Sequence, residues 1–322
     1  MKLISIVVPF YNEEPMADHY FEKLFEVLNP LKNKYSFEVV SVNDGSKDRT
    51  LEILLENQKK HNEIRVVNLT RNFGHESAVC AGLSSAKGDA IIPMDADLQD
   101  PPEVIVSLLE KFEEGYEVVN AKRRARDTDT FLKKKTASMF YKFISKLSKK
   151  VKIPEDVGHF RLISRRALDE VLALGEVTRV FRVEVPFVGF KTTEVEFVRP
   201  SREFGETHYN YKNMFELASD SITSTTVVPL RFSLIPTILF GGLTFLSLIT
   251  MLVFDILFWC NVGPLGEFEL MIWLIANIIG IFGSAIFVTL TIMSEYLAKT
   301  FKEAQHRPVF LIDKIYEPRK EE

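Results

Sequence analysis

The stretch IIPMDADLQDPPE, residues 91 to 103, ends a short apolar run with two carboxylates one residue apart. Side chains i and i+2 of a strand share a face, so Asp95 and Asp97 can point together into the crevice where the strand stops. Divalent cations such as Mg²⁺ and Mn²⁺ prefer carboxylate oxygens and recruit substrate phosphates as further ligands. This spacing indicates either a metal-nucleotide site or, equally, a solvated acidic turn closed by Pro101 and Pro102.

Apolar, β-branched runs typical of buried strands recur along the first hundred residues. They are Lys2–Phe10 (KLISIVVPF), Phe37–Asn43 (FEVVSVN), Ile64–Leu69 (IRVVNL) and Ala90–Pro93 (AIIP). Stretches with apolar residues at helical spacing separate these runs: Met16–Leu31, Thr50–Gln58 and His75–Ser85. Strand-helix alternation at this interval predicts an α/β domain with a mostly parallel sheet.

Acidic side chains follow three of the predicted strands. Glu13, Asp44, Asp95 and Asp97 each come just after an apolar run. Ligands of parallel α/β sheets bind outside the carboxyl ends of the strands, so these side chains are expected at one binding crevice.

The motifs VVPFYNEE, VNDGSKDRT, RNFG and DADLQDPPE occur in this order, and the combination resembles family 2 glycosyltransferases with a GT-A, Rossmann-like fold. The resemblance is greatest to the membrane-bound polyprenyl-phosphate glycosyltransferases, which include dolichol-phosphate mannose synthases and bactoprenol glucosyltransferases. It extends over almost the whole chain. Later motifs that carry it are Arg123-x-x-Arg126, Asp156-x-Gly158-x-Phe160-Arg161-Leu162 and Arg202-x-x-Gly205-x-Thr207-x-Tyr209.

This resemblance implies an enzyme that transfers a hexose, with glucose favoured, from a nucleotide sugar, with a UDP-sugar favoured. The implied acceptor is the phosphate of undecaprenyl or another polyprenyl phosphate, at the cytoplasmic face of the membrane. Transfer would be metal-dependent and would invert the anomeric centre. The product would be a lipid-linked sugar donor for cell-envelope glycosylation.

The expected donor site follows from the motifs and from the chemistry of the side chains. Asp97 is expected to be the first ligand of Mg²⁺ or Mn²⁺, with Asp95 and Gln99 contributing directly or through water. The residues expected to bind the nucleotide sugar are Pro9, Tyr11, Glu13, Asp44, Asp95 and Ala96. Packing of the Tyr11 ring in the core, rather than on the nucleotide base, is the alternative.

The acceptor phosphate is already anionic near neutral pH, so its attack requires positioning and charge balance rather than a strong base. Arginine binds phosphate through two parallel hydrogen bonds. The residues expected at the acceptor phosphate are Arg123, Arg126, Arg161, Arg202 and His208, and the catalytic residues are Asp97, Arg123 and Arg126. A structural salt bridge is the alternative for each arginine.

Two histidines depart from the family pattern. His159 stands where a carboxylate is common, and His208 stands where a lysine usually precedes the tyrosine. Because histidine is only partly charged near neutral pH, His208 could make acceptor binding pH-dependent; a solvent-facing substitution without effect is the alternative. Neither histidine is expected to transfer a proton in the reaction.

Residues 232–254 and 270–294 contain no Asp, Glu, Lys or Arg, and they predict membrane spans at about 232–258 and 270–294. Lys and Arg are absent from the short loop between them but present on both outer flanks, which places the catalytic domain and both termini in the cytoplasm. The predicted division is a GT-A domain at 1–212, an amphipathic juxtamembrane helix at 213–228, and a two-helix hairpin with a cytoplasmic tail at 229–322. The enzyme is therefore expected in the cell membrane as a multi-pass protein.

The formal net charge of −4 conceals a basic segment, residues 122–152, which has twelve Lys and Arg against two Asp. Apolar residues recur within it at helical spacing, which predicts either a helix on an anionic membrane surface or an ordinary surface helix. Nucleic acid is not an expected partner, because no recognisable binding module accompanies the charge.

A processive polysaccharide synthase and a catalytically silent membrane scaffold are the alternative functions. A processive polysaccharide synthase typically has a Gln-x-x-Arg-Trp motif, whereas the two tryptophans here, Trp259 and Trp273, lie beside or inside the predicted spans. A catalytically silent membrane scaffold would not need the carboxylate pair or the arginines. The sequence leaves open the sugar, the nucleotide, the polyprenol length, the downstream pathway and whether the chain forms a homo-oligomer.

Overall fold

The computed structural model describes residues 1–124, 157–176, 179–198 and 267–318, together with a few isolated residues between 242 and 256. The chain divides into two compact units. The first unit comprises Met1–Ser221 and His306–Glu322, and the second comprises Ile222–Gln305. Among the predicted segments, the juxtamembrane helix at 213–228 and most of the basic segment lie outside the described residues.

The first unit contains an eight-stranded sheet. Its strands are β1 (Lys2–Phe10), β2 (Tyr35–Asn43), β3 (Ile64–Leu69), β4 (Ala90–Pro93), β5 (Val118–Arg123), β6 (Val157–Ser164), β7 (Thr192–Phe197) and β8 (Ile312–Tyr316). Its helices are α1 (Ala17–Leu28), α2 (Thr50–Lys60), α3 (His75–Ser85), α4 (Val104–Glu113), α5 (Arg165–Ala173) and α6 (Phe181–Phe187), with a 3₁₀ turn at Asn29–Leu31.

The strand order is β7-β5-β6-β4-β1-β2-β3-β8. β1 pairs in parallel with β2 and β4, and β2 pairs in parallel with β3. β6 runs antiparallel to β4 and β5, and β8 runs antiparallel to β3. The predicted α/β domain with a mostly parallel sheet is confirmed, whereas the insertion of β6 between β4 and β5 was not predicted.

Burial on both faces explains the nearly continuous apolar sequence of the central strands. In β1, Ile4, Ile6 and Val8 pack in one core with α1, while Val7 packs in a second core with α3. A parallel strand covered by helices on both faces has few solvated positions, so periodicity of two is not visible in its sequence. The predicted bounds of β1, β3, β4 and α3 agree with the structure for this reason.

α3 lies unusually close to the sheet, and one glycine permits this. A Cβ atom added to Gly82 would lie 2.3 Å from Val7 Cγ1 and 2.9 Å from Val42 Cγ2. Both distances are shorter than a carbon-carbon contact allows, so any other residue at this position would push the helix off β1 and β2. The amino terminus of α3 is thereby held near the edge where these strands end.

The second unit contains α7 (Glu267–Ala304), a helix of 38 residues. Its segment Ile278–Ala304 is, in the described part of the chain, the one helix long and apolar enough to cross a membrane. Large apolar side chains along it, including Ile279, Phe287 and Leu297, are exposed. The predicted two-helix hairpin is not confirmed, because most of the first predicted span, 232–258, lies outside the described residues.

The chain after α7 returns to the first unit, which the sequence analysis did not anticipate. β8 adds a strand to the edge of the sheet beside β3. The buried Arg65 guanidinium of β3 donates to Glu317 Oε2 at 2.9 Å and lies 3.5 Å from Glu38 Oε2. These contacts join the carboxyl-terminal residues to the same domain as β1, and β8 covers the edge of β3.

Candidate functional site

Parallel pairing brings the loops after β1, β2 and β4 to one edge of the sheet. The Asp44 N–H donates to the Phe10 carbonyl at 2.9 Å, and the Met94 N–H donates to the Val7 carbonyl at 2.9 Å. The three loops therefore leave adjacent strands at nearly the same height. As the sequence predicts, the acidic residues of these loops lie at the carboxyl ends of the strands.

The loop after β4 holds its carboxylates through a local turn. Asp97 Oδ1 accepts a hydrogen bond from the Gln99 N–H at 3.1 Å, and the intervening Leu98 has a φ of 54°. A branched side chain rarely adopts this left-handed conformation, so the tertiary structure constrains the turn. Asp97 and the intervening Ala96 are buried, while Asp95 is partly exposed.

The carboxylate pair suits a divalent cation that takes most of its ligands from the substrate. Asp95 Oδ1 is buried, lies 3.5 Å from His75 Nε2 and has no hydrogen-bond partner among the described residues. In the same residues, no group of three or more His, Cys, Asp or Glu side chains is arranged to hold a metal. A cation here would need diphosphate oxygens as ligands, as Mg²⁺ commonly does in nucleotide sites.

The pKa of Tyr20 reflects the negative charge of the carboxylates near this loop. Its hydroxyl lies in the core, 4.0 Å from Met94 Sδ. Burial raises the pKa of Tyr20 well above its ordinary value, and the charges of Asp100, Asp95 and Asp97 raise it further. Concentrated negative charge at the end of β4 favours binding of a cation.

The loop after β1 is bonded to the loop after β2. Asn12, with a φ of 53°, donates its N–H to Ser46 Oγ at 3.1 Å, and its Oδ1 accepts from the Lys47 N–H at 2.9 Å. The Glu13 N–H donates to Thr50 Oγ1 at 2.9 Å. These bonds fix the backbones of the two loops relative to each other.

Three residues predicted to bind the nucleotide sugar line the end of β1. Tyr11 is 42% exposed, which excludes the alternative that its ring packs in the core. Pro9 and Glu13 are partly buried. An exposed aromatic ring beside a polar loop is suited to packing against a nucleotide base.

Asp44 holds a third loop. Its buried carboxylate accepts hydrogen bonds from the Phe73 N–H at 2.7 Å and the Gly74 N–H at 3.0 Å. Burial raises the pKa of Asp44, and the two N–H groups oppose that effect. A Cβ on Gly45 would lie 2.4 Å from the Arg71 carbonyl carbon, so only glycine allows this approach. The predicted contact between Asp44 and the nucleoside stays a prediction.

A partly buried ion pair that the sequence analysis missed anchors the start of α3. His159 Nε2 lies 3.0 Å from Glu76 Oε1, and the His159 ring contacts the His75 ring edge to face. Burial disfavours the charged form of His159, but Glu76 outweighs it and raises the pKa of His159 above its ordinary value. Burial likewise opposes ionisation of Glu76, yet His159 keeps the pKa of Glu76 below its ordinary value. The available sequence signal was the position of His75 and Glu76 directly after RNFG.

Arg123 lies at the end of β5, against the end of the loop that carries the carboxylates. Its Nη2 is 3.8 Å from Oδ1 of the buried Asp100. A Cβ on Gly158 would lie 2.8 Å from the same nitrogen, so Gly158 leaves the space that the guanidinium occupies. The guanidinium is partly exposed, and it can contact an anion while it remains anchored on Asp100.

Arg161 is buried in the sheet rather than displayed at its edge. Its Nη2 donates to the Gly158 carbonyl at 2.6 Å, whereas its Nε and Nη1 have no hydrogen-bond partner among the described residues. Burial lowers the pKa of Arg161 to about 10. The predicted acceptor residues Arg126, Arg202 and His208 lie outside the described residues, so their roles stay predictions.

Comparison with known proteins identifies the family. Residues 5–172 match the family model "Glycosyl transferase family 2". "Uncharacterized glycosyltransferase YkcC" of Bacillus subtilis is 40% identical over 312 residues, which cover 97% of this chain and 94% of that protein. "Bactoprenol glucosyl transferase" of Shigella phage SfV is 36% identical over 311 residues, which cover 96% of this chain and 97% of that protein.

A further relative, "Prophage bactoprenol glucosyl transferase homolog" of Escherichia coli, is 37% identical over 312 residues, which cover 97% of this chain and 99% of that protein. The chain belongs to glycosyltransferase family 2 and is a glycosyltransferase with a GT-A-like α/β domain. The family resemblance that the sequence motifs indicated is confirmed.

Replacement of Asp97 tests the metal assignment. In Asp97→Asn a neutral amide replaces a charged ligand, so transfer from a nucleotide sugar should fall on the order of a hundredfold or more at saturating Mg²⁺ or Mn²⁺. Asp169→Asn is the matched control, because Asp169 is an exposed residue of α5 that pairs with Arg165. Asp97→Asn protein that folds and keeps substantial activity would contradict the assignment.

The pair of His159 and Glu76 should make stability depend on pH. His159 has a raised pKa, so its contribution is complete below its unfolded pKa of about 6.5 and is lost as pH rises through its folded pKa. Thermal unfolding of the detergent-purified chain should therefore show a smaller drop in Tm from pH 6 to pH 9 for His159→Gln than for wild type. His19→Gln, which removes an exposed histidine paired with Glu22, should behave as wild type. Equal drops in all three proteins would contradict the prediction.

Proposed function

We propose that this enzyme transfers a hexose, with glucose favoured, from a UDP-sugar to the phosphate of a polyprenyl phosphate at the cytoplasmic membrane face. The similarity to proteins named bactoprenol glucosyl transferase over nearly the full length of both chains carries the proposal. A shared catalytic domain alone would not favour a lipid acceptor. Here the similarity also includes the apolar region and the carboxyl-terminal residues.

The donor nucleotide is assigned to the adjoining loops after β1 and β2. The exposed Tyr11 ring would pack on the base, and carboxylates at the strand ends would accept hydrogen bonds from base or ribose. The diphosphate would then extend towards Asp95 and Asp97 at the end of β4. This arrangement places each group of the donor against the side chains whose chemistry suits it.

A bound divalent cation would neutralise the charge that develops on the departing diphosphate. Asp97, Asp95 and the Gln99 side chain are the residues assigned to hold it. Two observations support this assignment. The acidic groups near Tyr20 raise its pKa, and Asp95 Oδ1 accepts no hydrogen bond from the described residues. Mg²⁺ and Mn²⁺ both accept such ligands.

In the proposed reaction, a phosphate oxygen of the acceptor attacks the anomeric carbon. A new carbon-oxygen bond forms as the bond to the diphosphate breaks, and UDP leaves with both bonding electrons. In-line displacement inverts the configuration and gives a β-linked lipid phosphosugar from an α-linked donor. Arg123, held on Asp100 beside the carboxylate loop, is assigned to the acceptor phosphate.

The path of the chain supports a two-span membrane topology. β7 precedes the apolar region and β8 follows it, yet both strands belong to one sheet. A segment that starts and ends on one side of a membrane must cross it an even number of times. If α7 crosses once, a second crossing must lie between β7 and α7, and 232–258 is the stretch of suitable length. Its described residues Phe245, Leu246 and Ile249 are helical and exposed.

Product analysis tests the proposed function. Detergent-purified protein would be offered UDP- and GDP-linked glucose, mannose and N-acetylglucosamine together with undecaprenyl phosphate, and lipid products would be identified by mass spectrometry. A lipid-linked monosaccharide that depends on the divalent cation is expected. A polymer instead of a monosaccharide would indicate a processive synthase, and nucleotide binding without any product would indicate a silent scaffold.

Substitution of Arg123 tests the acceptor assignment. Arg123→Ala should reduce apparent acceptor affinity or rate roughly ten- to a hundredfold, since one charge-assisted phosphate contact contributes about 1.5–3 kcal/mol. Arg123→Lys should recover part of the loss, because a point charge lacks the two-pronged geometry. Donor affinity, measured separately by titration, should change little.

Arg166→Ala is the matched control for Arg123. Arg166 is exposed in the first turn of α5 and pairs with Glu117, which lies at the opposite end of β5 from Arg123. Weakened donor binding with unchanged acceptor dependence in Arg123→Ala would move this arginine to the diphosphate. The predicted partner Arg126 calls for the same pair of measurements.

A further inference from the structure

β8 lies at the edge of the sheet beside β3, and β2 and β3 separate it from β1. Its register with β3 shifts between Asn68 and Leu69, which pair with Lys314 and Ile312, so Asp313 is the extra residue of a bulge. Bulges re-aim a side chain relative to the regular ladder. The Asp313 carboxylate thereby reaches the side chain of Asn68.

Four hydrogen bonds connect this carboxylate to the end of β1. Asp313 Oδ2 accepts from Asn68 Nδ2 at 3.0 Å, and Asn68 Oδ1 accepts from Asn43 Nδ2 at 2.7 Å. Asn43 Oδ1 accepts from the Ser46 N–H at 3.3 Å, and Ser46 Oγ accepts from the Asn12 N–H at 3.1 Å. The chain of bonds ends at the residue after Tyr11.

The Asp313 carboxylate and the Ser46 N–H favour the same orientation of the two side-chain amides between them, those of Asn68 and Asn43. A carboxylate can only accept a hydrogen bond, and a backbone N–H can only donate one. Asp313 therefore turns the NH₂ group of Asn68 towards itself and leaves the Asn68 oxygen facing Asn43. Asn43, which is buried, must then direct its own oxygen to the Ser46 N–H. Without Asp313, the Asn68 amide keeps its orientation through the hydrogen bond from Asn43 alone, so the asparagine pair is held from one end instead of two.

We propose that Asp313 is a positioning residue for the donor nucleotide, acting through Asn68 and Asn43 on the Ser46 turn and Asn12. The inference rests on the proposed function, because it takes the adjoining loops after β1 and β2 as the nucleotide site. Asn12 has left-handed backbone geometry and depends on Ser46 and Lys47 to keep it. Loss of these bonds would free the backbone that presents Tyr11.

The carboxylate at the end of this hydrogen-bond chain comes from a residue that lies after the apolar region in the sequence. Asp313 follows α7, so the residue that orients the donor loops is synthesised after the apolar region. A chain that ends before residue 306 would contain Tyr11, Asp44 and Asp97. It would lack the Asp313 carboxylate, which accepts the hydrogen bond from the Asn68 amide. The donor site is complete only when the chain has returned from the apolar region to the edge of the sheet.

Nucleotide titration of the full-length, detergent-purified chain tests the proposal, with UDP as the first probe and GDP as the second. Asp313→Ala should weaken nucleotide affinity roughly three- to tenfold, as expected when one exposed hydrogen bond of ordinary strength is lost. Asp313→Asn keeps an oxygen that accepts from Asn68 and should lose less than half as much. Lys314→Ala, on the same strand, should bind as wild type.

A double-mutant cycle separates positioning from general weakening of β8. Asp313→Ala should have no further effect on nucleotide affinity in an Asn68→Ala background, because the two side chains act in one series. Tm measured on the same preparations should be similar for Asp313→Ala and Lys314→Ala. Wild-type affinity in Asp313→Ala, or additive losses in the cycle, would overturn the inference while leaving the proposed function intact. A wild-type chain that binds neither UDP nor GDP would overturn the proposed function itself.

Discussion

The parallel pairing of β1 with both β2 and β4 is the constraint on which the site depends. Parallel neighbours end at one edge of a sheet, so the three loops that follow them must converge there. Convergence brings together an exposed aromatic ring, a network of backbone turns and a pair of carboxylates. The loops after β1 and β2 are held by hydrogen bonds to each other, and Asp44 also accepts hydrogen bonds from the Phe73 and Gly74 N–H groups. In the loop after β4, Asp95 lies beside His75 of α3.

The carboxylate loop provides charge without a complete metal cage. Asp95 and Asp97 lie in a region of negative potential, but the described residues do not form a group of three metal ligands. Such an arrangement favours a cation that binds together with the diphosphate of a nucleotide sugar. The buried Asp100 adds a second function, because it anchors Arg123 beside the same loop.

The return of the chain at β8 joins the residues after α7 to the sheet that carries the candidate site. The strand covers the edge of β3, and Glu317 directly after it forms an ion pair with Arg65. Asp313 accepts a hydrogen bond from Asn68, the first of the two asparagine side chains that lead to Ser46. A boundary drawn after residue 212 therefore separates residues that one domain needs. A fragment cut there would lack the last strand of the sheet as well as the apolar region.

The sequence by itself determined the central strands, α3, the edge at which the acidic residues gather and the family, because short apolar runs and contiguous motifs encode these features locally. It also indicated Asp95, Asp97 and Tyr11 by their positions directly after strands. The tertiary structure decided which partners these residues meet. The His159 and Glu76 pair joins positions 83 residues apart, and the Asn68 and Asp313 bond joins positions 245 residues apart. No local period or motif records such pairings, because they arise from the order of strands in the sheet, and in particular from the antiparallel insertion of β6 and the addition of β8 at the edge.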